Sequence, residues 1–144
     1  MKIDIVKLWP EAVLPEYQTA GAAGADLHAC IDGPITLQPL ERRMIPTGLS
    51  MAIPVGYEVQ IRARSGMSIK HGITMVNGIG TIDADYRGEL GVLAINLSQE
   101  AFTIEPGMRI AQMVVAKYEV AAWNQVEVLD ETDRGVGGYG SSGS

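Results

Sequence analysis

Cysteine is nearly missing from this chain: Cys30 is the only one among 144 residues. One thiol cannot close an intrachain disulfide, so the fold must rest on its core, and a reducing cytoplasm is the expected setting. Histidine is almost as scarce. His28 and His71 stand apart, without HxH or HExxH spacing, which argues against a protein-ligated zinc. No apolar run approaches the ~20 residues that a membrane helix needs, and no basic-plus-apolar leader precedes Lys2-Ile3-Asp4. Positive charge is in deficit too, with 11 Lys and Arg against 17 Asp and Glu, a net charge of −6. Proteins that grip nucleic acid neutralise its backbone with Lys and Arg, so that role is not expected. A small anion in a local positive pocket remains open. A GxxxxGK[ST] phosphate loop is absent.

What the chain does have is 47% hydrophobic residues, 19% charged residues and enough length for one domain with a sizeable core. Period-2 alternation dominates. In "GYEVQIRAR" (56–64), Val59, Ile61 and Ala63 point one way and Glu58, Gln60, Arg62 and Arg64 the other, as in a half-buried strand. "VLAINLS" (92–98) places Leu93, Ile95 and Leu97 on one face and Val92 and Ala94 on the other, so it is expected to be covered on both sides. "MRIAQMVVAKYEVA" (108–121) is long enough for one bent strand or two. Turn signals punctuate these runs: "DGP", "PTG", "PVG", "NG", "RG" and "PG". Short strands so spaced predict an all-β sandwich or barrel. One short helix is predicted over "SGMSIKHG" (65–72), with Ser65 as its cap. Met44, Met51, Met67, Met75, Met108 and Met113 are expected to fill the core.

Four stretches carry candidate chemistry. "GTIDADYRGE" (80–89) places Asp83 and Asp85 on one side of a strand or hairpin arm, followed by Tyr86 and the turn-forming Gly88. Ile82 immediately before Asp83 suggests a carboxylate at the edge of a buried wall, where it could act as general base on a water; the alternative is a solvated hairpin tip. In "RARSGMS" (62–68), Arg64 offers a planar fork, Ser65 a hydroxyl, and Gly66 a backbone that a phosphate can approach. "AGADLHA" (23–29) sets Asp26 where the chain turns into a strand. The tail "RGVGGYGSSGS" (134–144) is a separate compositional zone, flexible by default. Its successive Gly N–H groups could form an anion-binding nest, and Arg134 and Tyr139 add a cation and a ring that could stack on a base.

The order of these motifs is more informative than any one of them. "AGADL", "RSGMS", "NGIGTIDADYRGE", "GMRIAQ" and "RGVGGYGSSG" resemble the five ordered motifs of the homotrimeric dUTPase family, and the resemblance spans residues 23 to 143. The resemblance implies a trimeric, jelly-roll-like β barrel (1–133) with a Gly-rich C-terminal lid (134–144) and three active sites at subunit interfaces. It implies magnesium-dependent hydrolysis of dUTP to dUMP and pyrophosphate, which keeps uracil out of DNA and supplies dUMP for dTTP synthesis.

Carried over position by position, Asp83 would activate the water that attacks the α-phosphorus. Asn77 and the backbone through Gly80, Thr81, Ile82 and Asp83 would hold uracil in a hairpin. Tyr86 would pack against the deoxyribose and leave no room for a 2′-hydroxyl. Arg64, Ser65 and Gly66 would meet the phosphates. Asp26 and Gln112 would hold waters around a Mg²⁺ bound chiefly by the triphosphate. Arg134 would meet the γ-phosphate, and Gly138, Tyr139, Gly140 and Ser141 would close over the nucleotide, with Tyr139 stacked on uracil.

Three residues depart from the family pattern: Ala63 where a proline is usual, Tyr139 where a phenylalanine is usual, and Met108 where a polar residue is common. Two other readings compete, a dCTP deaminase on the same barrel and a non-catalytic nucleotide-binding trimer. The first needs a glutamate beside a cytosine amine that cannot be identified here, and the second has no use for Asp83.

Overall fold

The computed structural model describes residues 1–138. In chain order its elements are β1 (Asp4–Lys7), β2 (Ala25–His28), β3 (Ile35–Leu37), β4 (Arg42–Pro46), β5 (Leu49–Ala52), β6 (Tyr57–Arg62), α1 (Ser65–His71), β7 (Ile73–Met75), β8 (Ile79–Ile82), β9 (Gly91–Asn96), β10 (Phe102–Ile104) and β11 (Arg109–Lys117). All strand pairings are antiparallel. They form a four-stranded sheet β2-β11-β6-β8, a three-stranded sheet β4-β9-β7, and two ribbons, β1-β5 and β10-β3. The arrangement is jelly-roll-like, as expected, but backbone pairing among the described residues does not close into one continuous barrel. The strands are short, and at each Gly or Pro turn the chain leaves one sheet for another.

Alternation places the core as the sequence predicts. Val59 and Ile61 of β6 are buried while Arg62 is exposed; Val92 and Ala94 of β9 are buried while Leu93 and Ile95 are partly covered. Leu27, Leu37, Ile45, Leu49, Leu90 and Ile104 close the interior. Each such side chain, fully removed from water, contributes about 1.5–3 kcal/mol. Within 108–121 a single strand forms, β11 (Arg109–Lys117), with a register shift between Arg109 and Ala111; residues 118–121 lie beyond it. Asn96 is fully buried yet satisfied: its Nδ2 donates to the carbonyls of Leu37 and Glu100 at 2.9 and 2.7 Å, and its Oδ1 accepts from the Ser98 backbone at 2.9 Å. One side chain thus ties β9 to β3 and to the following turn.

Four local expectations change. Ser65 is the first helical residue; Arg64 holds the N-cap position and makes no side-chain cap bond. Gly72 ends the helix at φ 66°, and a Cβ there would stand 2.8 Å from the Ser98 backbone nitrogen. Met44 is 62% exposed rather than core, because β4 lies at the edge of its sheet. The turn at 76–78 does not close a hairpin, since β7 pairs with β9 while β8 pairs with β6. Finally, Asp83 follows the end of β8 and Asp85 sits in the next turn, where the Tyr86 N–H donates to the Asp83 carbonyl at 3.2 Å. The period-2 rule that would align the two carboxylates has stopped applying there.

Candidate active site

β11 is the axis of one half of the site. Its Gln112 lies opposite Asp26 of β2 on one side and Arg62 of β6 on the other. Two residues beyond Arg62 comes Arg64. Asp26, only 6% exposed, accepts from Arg64 Nε at 3.0 Å and from Arg109 Nη1 at 3.1 Å. Arg64 Nη1 also donates to the Arg109 carbonyl at 3.0 Å. A carboxylate taken out of water is stable only when it is paired, and here two guanidinium groups do that. Gln112 Nε2 donates to the Ala63 carbonyl at 3.0 Å, which fixes the amide plane and turns Oε1 toward Gly24. A Cβ on Gly24 would stand 2.4 Å from that oxygen. Gly24, Asp26, Arg64 and Gln112, with Gln18, Ser65 and Gly66, line a cleft of about 440 Å³.

The pattern of donors suits phosphate oxygens: guanidinium groups already ordered by Asp26, a Ser hydroxyl and an unobstructed Gly backbone. Among the described residues no group of three His, Cys, Asp or Glu is placed to hold a metal ion. His28 lies opposite Arg109 in the same sheet, its Nδ1 buried without a partner among the described residues. Burial pushes its pKa down; Asp26 opposes that shift and Arg109 adds to it.

The other half lies at the free edge of the same sheet. β8 is the outermost strand, so one row of its backbone N–H and C=O groups faces away from β6 and is available to a ligand. Asn77, Gly80, Thr81, Ile82, Asp83 and Tyr86 line a single cleft of about 270 Å³. Met44 and Glu89 line it as well. Gly80 is buried, and a Cβ there would meet Asn77 Nδ2 at 3.3 Å, so the amide lies directly over the strand. Asp83 is exposed at the cleft mouth. The Tyr86 hydroxyl donates to the Glu89 carbonyl at 3.0 Å.

The two halves do not meet on one chain. Arg62 faces Ile79 and Val59 faces Ile82, so Arg64 lies beyond one end of the β6–β8 ladder and Asp83 beyond the other. Continuing that register, Asp83 faces Glu58, and the span from Glu58 to Arg64 is roughly 20 Å at ~3.3 Å per residue. A carboxylate and phosphate donors must converge within about 3 Å of one reacting water and phosphoryl group.

A family model described as dUTPase matches residues 10–143. This chain belongs to the dUTPase family. A deoxyuridine 5′-triphosphate nucleotidohydrolase of Finegoldia magna is 58% identical over 130 residues, covering 90% of this chain and 91% of that one. The enzyme of the same name from Roseobacter denitrificans is 61% identical over 131 residues, covering 90% and 86%. A solved structure of the Staphylococcus bacteriophage 80alpha dUTPase with dUpNHpp superposes with a TM-score of 0.90 at 28% identity, covering 99% of both chains.

Set against the motifs of this dUTPase-family chain, the structure brings Asp26, Arg64, Ser65, Gly66 and Gln112 together in one cleft, and Asn77, Gly80, Thr81, Ile82, Asp83 and Tyr86 in the other. Arg134 and Gly138 line neither. Arg134 is exposed, and its Nε donates to the Gly137 carbonyl at 2.8 Å. Tyr139, Gly140 and Ser141 lie outside the described residues. Sequence reasoning missed Arg109, the second partner of Asp26. Its signal was its place three residues before Gln112 in "MRIAQ", but spacing along one strand does not reveal a partner 83 residues away in the chain.

Proposed function

We propose that this chain hydrolyses dUTP to dUMP and pyrophosphate, limiting uracil in DNA and providing dUMP for dTTP synthesis. The observation that carries the reading is the convergence of Asn77, Gly80, Asp83 and Tyr86 on one cleft at an unpaired strand edge. A free β edge offers donors and acceptors in the plane a pairing base would use. The narrow cleft around Gly80 and Asn77 leaves no room for a 5-methyl group, and Tyr86 packs against the sugar where a 2′-hydroxyl would stand. Asp83 accepts a proton from water as its oxygen bonds to the α-phosphorus; pyrophosphate departs with the electrons of the broken P–O bond. Arg64, Ser65 and Gly66 hold the phosphates.

Magnesium fits this arrangement as an ion carried by the triphosphate. Asp26 keeps acceptor capacity beside its two arginine bonds, and among the described residues Gln112 Oε1 accepts no hydrogen bond, so both can hold waters of a hydrated cation. When bound, the ion neutralises phosphate charge.

Because Arg64 and Asp83 are roughly 20 Å apart on one chain, a working site pairs the phosphate cleft of one copy with the base cleft of another, and the family's homotrimer supplies that pairing. Exposed apolar side chains along residues 118–138, among them Val120, Trp123, Val128 and Leu129, find cover in such an assembly. The C-terminal residues from Arg134 close over the bound nucleotide as a lid from a neighbouring copy, with Tyr139 against the base, and water is expelled on closure. A cytoplasmic setting accords with the free thiol of Cys30; among the described residues no helix is long and apolar enough to cross a membrane.

The test is a panel of dUTP, dTTP, UTP and dCTP, scored for pyrophosphate with and without magnesium. Selective release from dUTP is expected. Ammonia from dCTP, or equal turnover of dTTP or UTP, would remove the reading.

A further inference from the structure

Gly88 has no backbone reason to be glycine. It is absent from the residues with positive φ, so any L residue could adopt its conformation. Its neighbours supply the reason instead. A Cβ on Gly88 would stand 2.3 Å from the Tyr86 hydroxyl oxygen, 2.5 Å from Cζ and 2.9 Å from Cε2. All three atoms belong to the phenol ring, and all three distances fall far inside the ~3.5–4.0 Å of ordinary carbon contact.

The ring is held in that position by the turn itself. Its hydroxyl donates to the Glu89 carbonyl at 3.0 Å, and Glu89 Oε1 in turn accepts from the Gly48 N–H at 2.8 Å. Arg87 Nη1 donates to the carbonyls of Ala84 and Tyr86 at 2.7 and 2.9 Å, bracing the backbone on either side. Tyr86 is nevertheless 44% exposed, so the braced ring keeps one face open to the cleft that Asp83 and Asn77 share.

We propose that Gly88 is a positioning residue for sugar discrimination, its missing Cβ leaving the space that lets the Tyr86 ring lie back on its own turn. The inference rests on the reading of Tyr86 as the sugar-facing ring. A methyl group at position 88 meets the far end of a side chain with two rotatable bonds, while the backbone around it is braced. The ring therefore yields before the turn does: it swings, the bond to the Glu89 carbonyl is lost, and the surface that excludes a 2′-hydroxyl changes shape.

The experiment is a double-variant cycle over Gly88→Ala and Tyr86→Ala, reading the ratio of kcat/KM for dUTP to that for UTP, with thermal unfolding of each variant. Gly88→Ala alone is expected to lower that ratio at least ~tenfold with folding intact. In the Tyr86→Ala background the same change should leave the ratio unaltered, because the ring it displaces is gone. Should Gly88→Ala fail to fold alone yet fold beside Tyr86→Ala, the inference is also supported. An unchanged ratio in the Gly88→Ala protein would overturn it, as would an equal drop in both backgrounds or failure to fold in both. A wild-type chain that turns over UTP as readily as dUTP would sink the Tyr86 reading itself, an outcome distinct from each of these.

Discussion

Asp83 and Cys30 illustrate how differently two single residues depend on their surroundings. Asp83 is exposed at the rim of its cleft, and the role proposed for it is a single one, to take a proton from water. Asp83→Asn keeps the shape and loses that capacity, so kcat is expected to fall at least ~10²-fold while nucleotide affinity, measured by calorimetry, stays close to wild type. Retained turnover would end its assignment as the base. Cys30 sits against carboxylates: burial first, then Glu11, Glu89 and Asp32, push its thiol pKa above the ordinary value, with Lys7 in opposition. A raised pKa means the folded chain holds the proton more tightly than the unfolded one. Its stabilising share is complete below the ordinary thiol value and is lost as pH climbs from there through the raised value of the folded thiol. The folded thiol should accordingly alkylate several-fold more slowly near pH 8.5 than the urea-unfolded chain, read by mass spectrometry; equal rates would contradict the shift.

At the scale of elements, the last regular strand ends at Lys117, and residues 118–138 run on without helix or strand. Among the described residues the buried cluster draws on Ala12 through Met113. Truncation after Thr132 is thus expected to leave the urea midpoint within ~10–15% of wild type while abolishing most turnover. An undiminished rate in the shortened chain would reduce the tail to a linker. β8 shows the complementary case of an element with no neighbour on one side, which leaves a row of backbone donors and acceptors available for the base contact proposed above.

For the whole molecule, the decisive quantity is the separation of the two clefts along β6, roughly 20 Å. Two inactive variants, Arg64→Ala and Asp83→Asn, each spoil a different cleft. Mixed under conditions that exchange subunits, they should recover activity, with about a quarter of sites intact by random pairing in a closed ring. No recovery, with both variants still assembled and exchanging, would refute a site shared between copies. The fold itself was largely legible beforehand. Alternation in β6 and β9 and Gly/Pro punctuation gave the short-strand architecture, because a half-buried strand must alternate. Less legible were the Arg64 cap position, the exposure of Met44 and the end of strand geometry before Asp83, each decided by which neighbour the chain meets next.

The linear order of residues settled which chemical groups are present and in what sequence: an Arg-Ser-Gly triplet, then a short apolar strand ending just before the carboxylate of Asp83, and last a glycine-rich tail. Tertiary structure alone decided that Arg109 shares Asp26 with Arg64, that Gly88 yields space to a tyrosine, and that the two clefts open at opposite ends of one ladder. The reason is physical. Periodicity reports which face of an element is buried, whereas pairing partners and distances across a sheet depend on register between segments far apart in the chain.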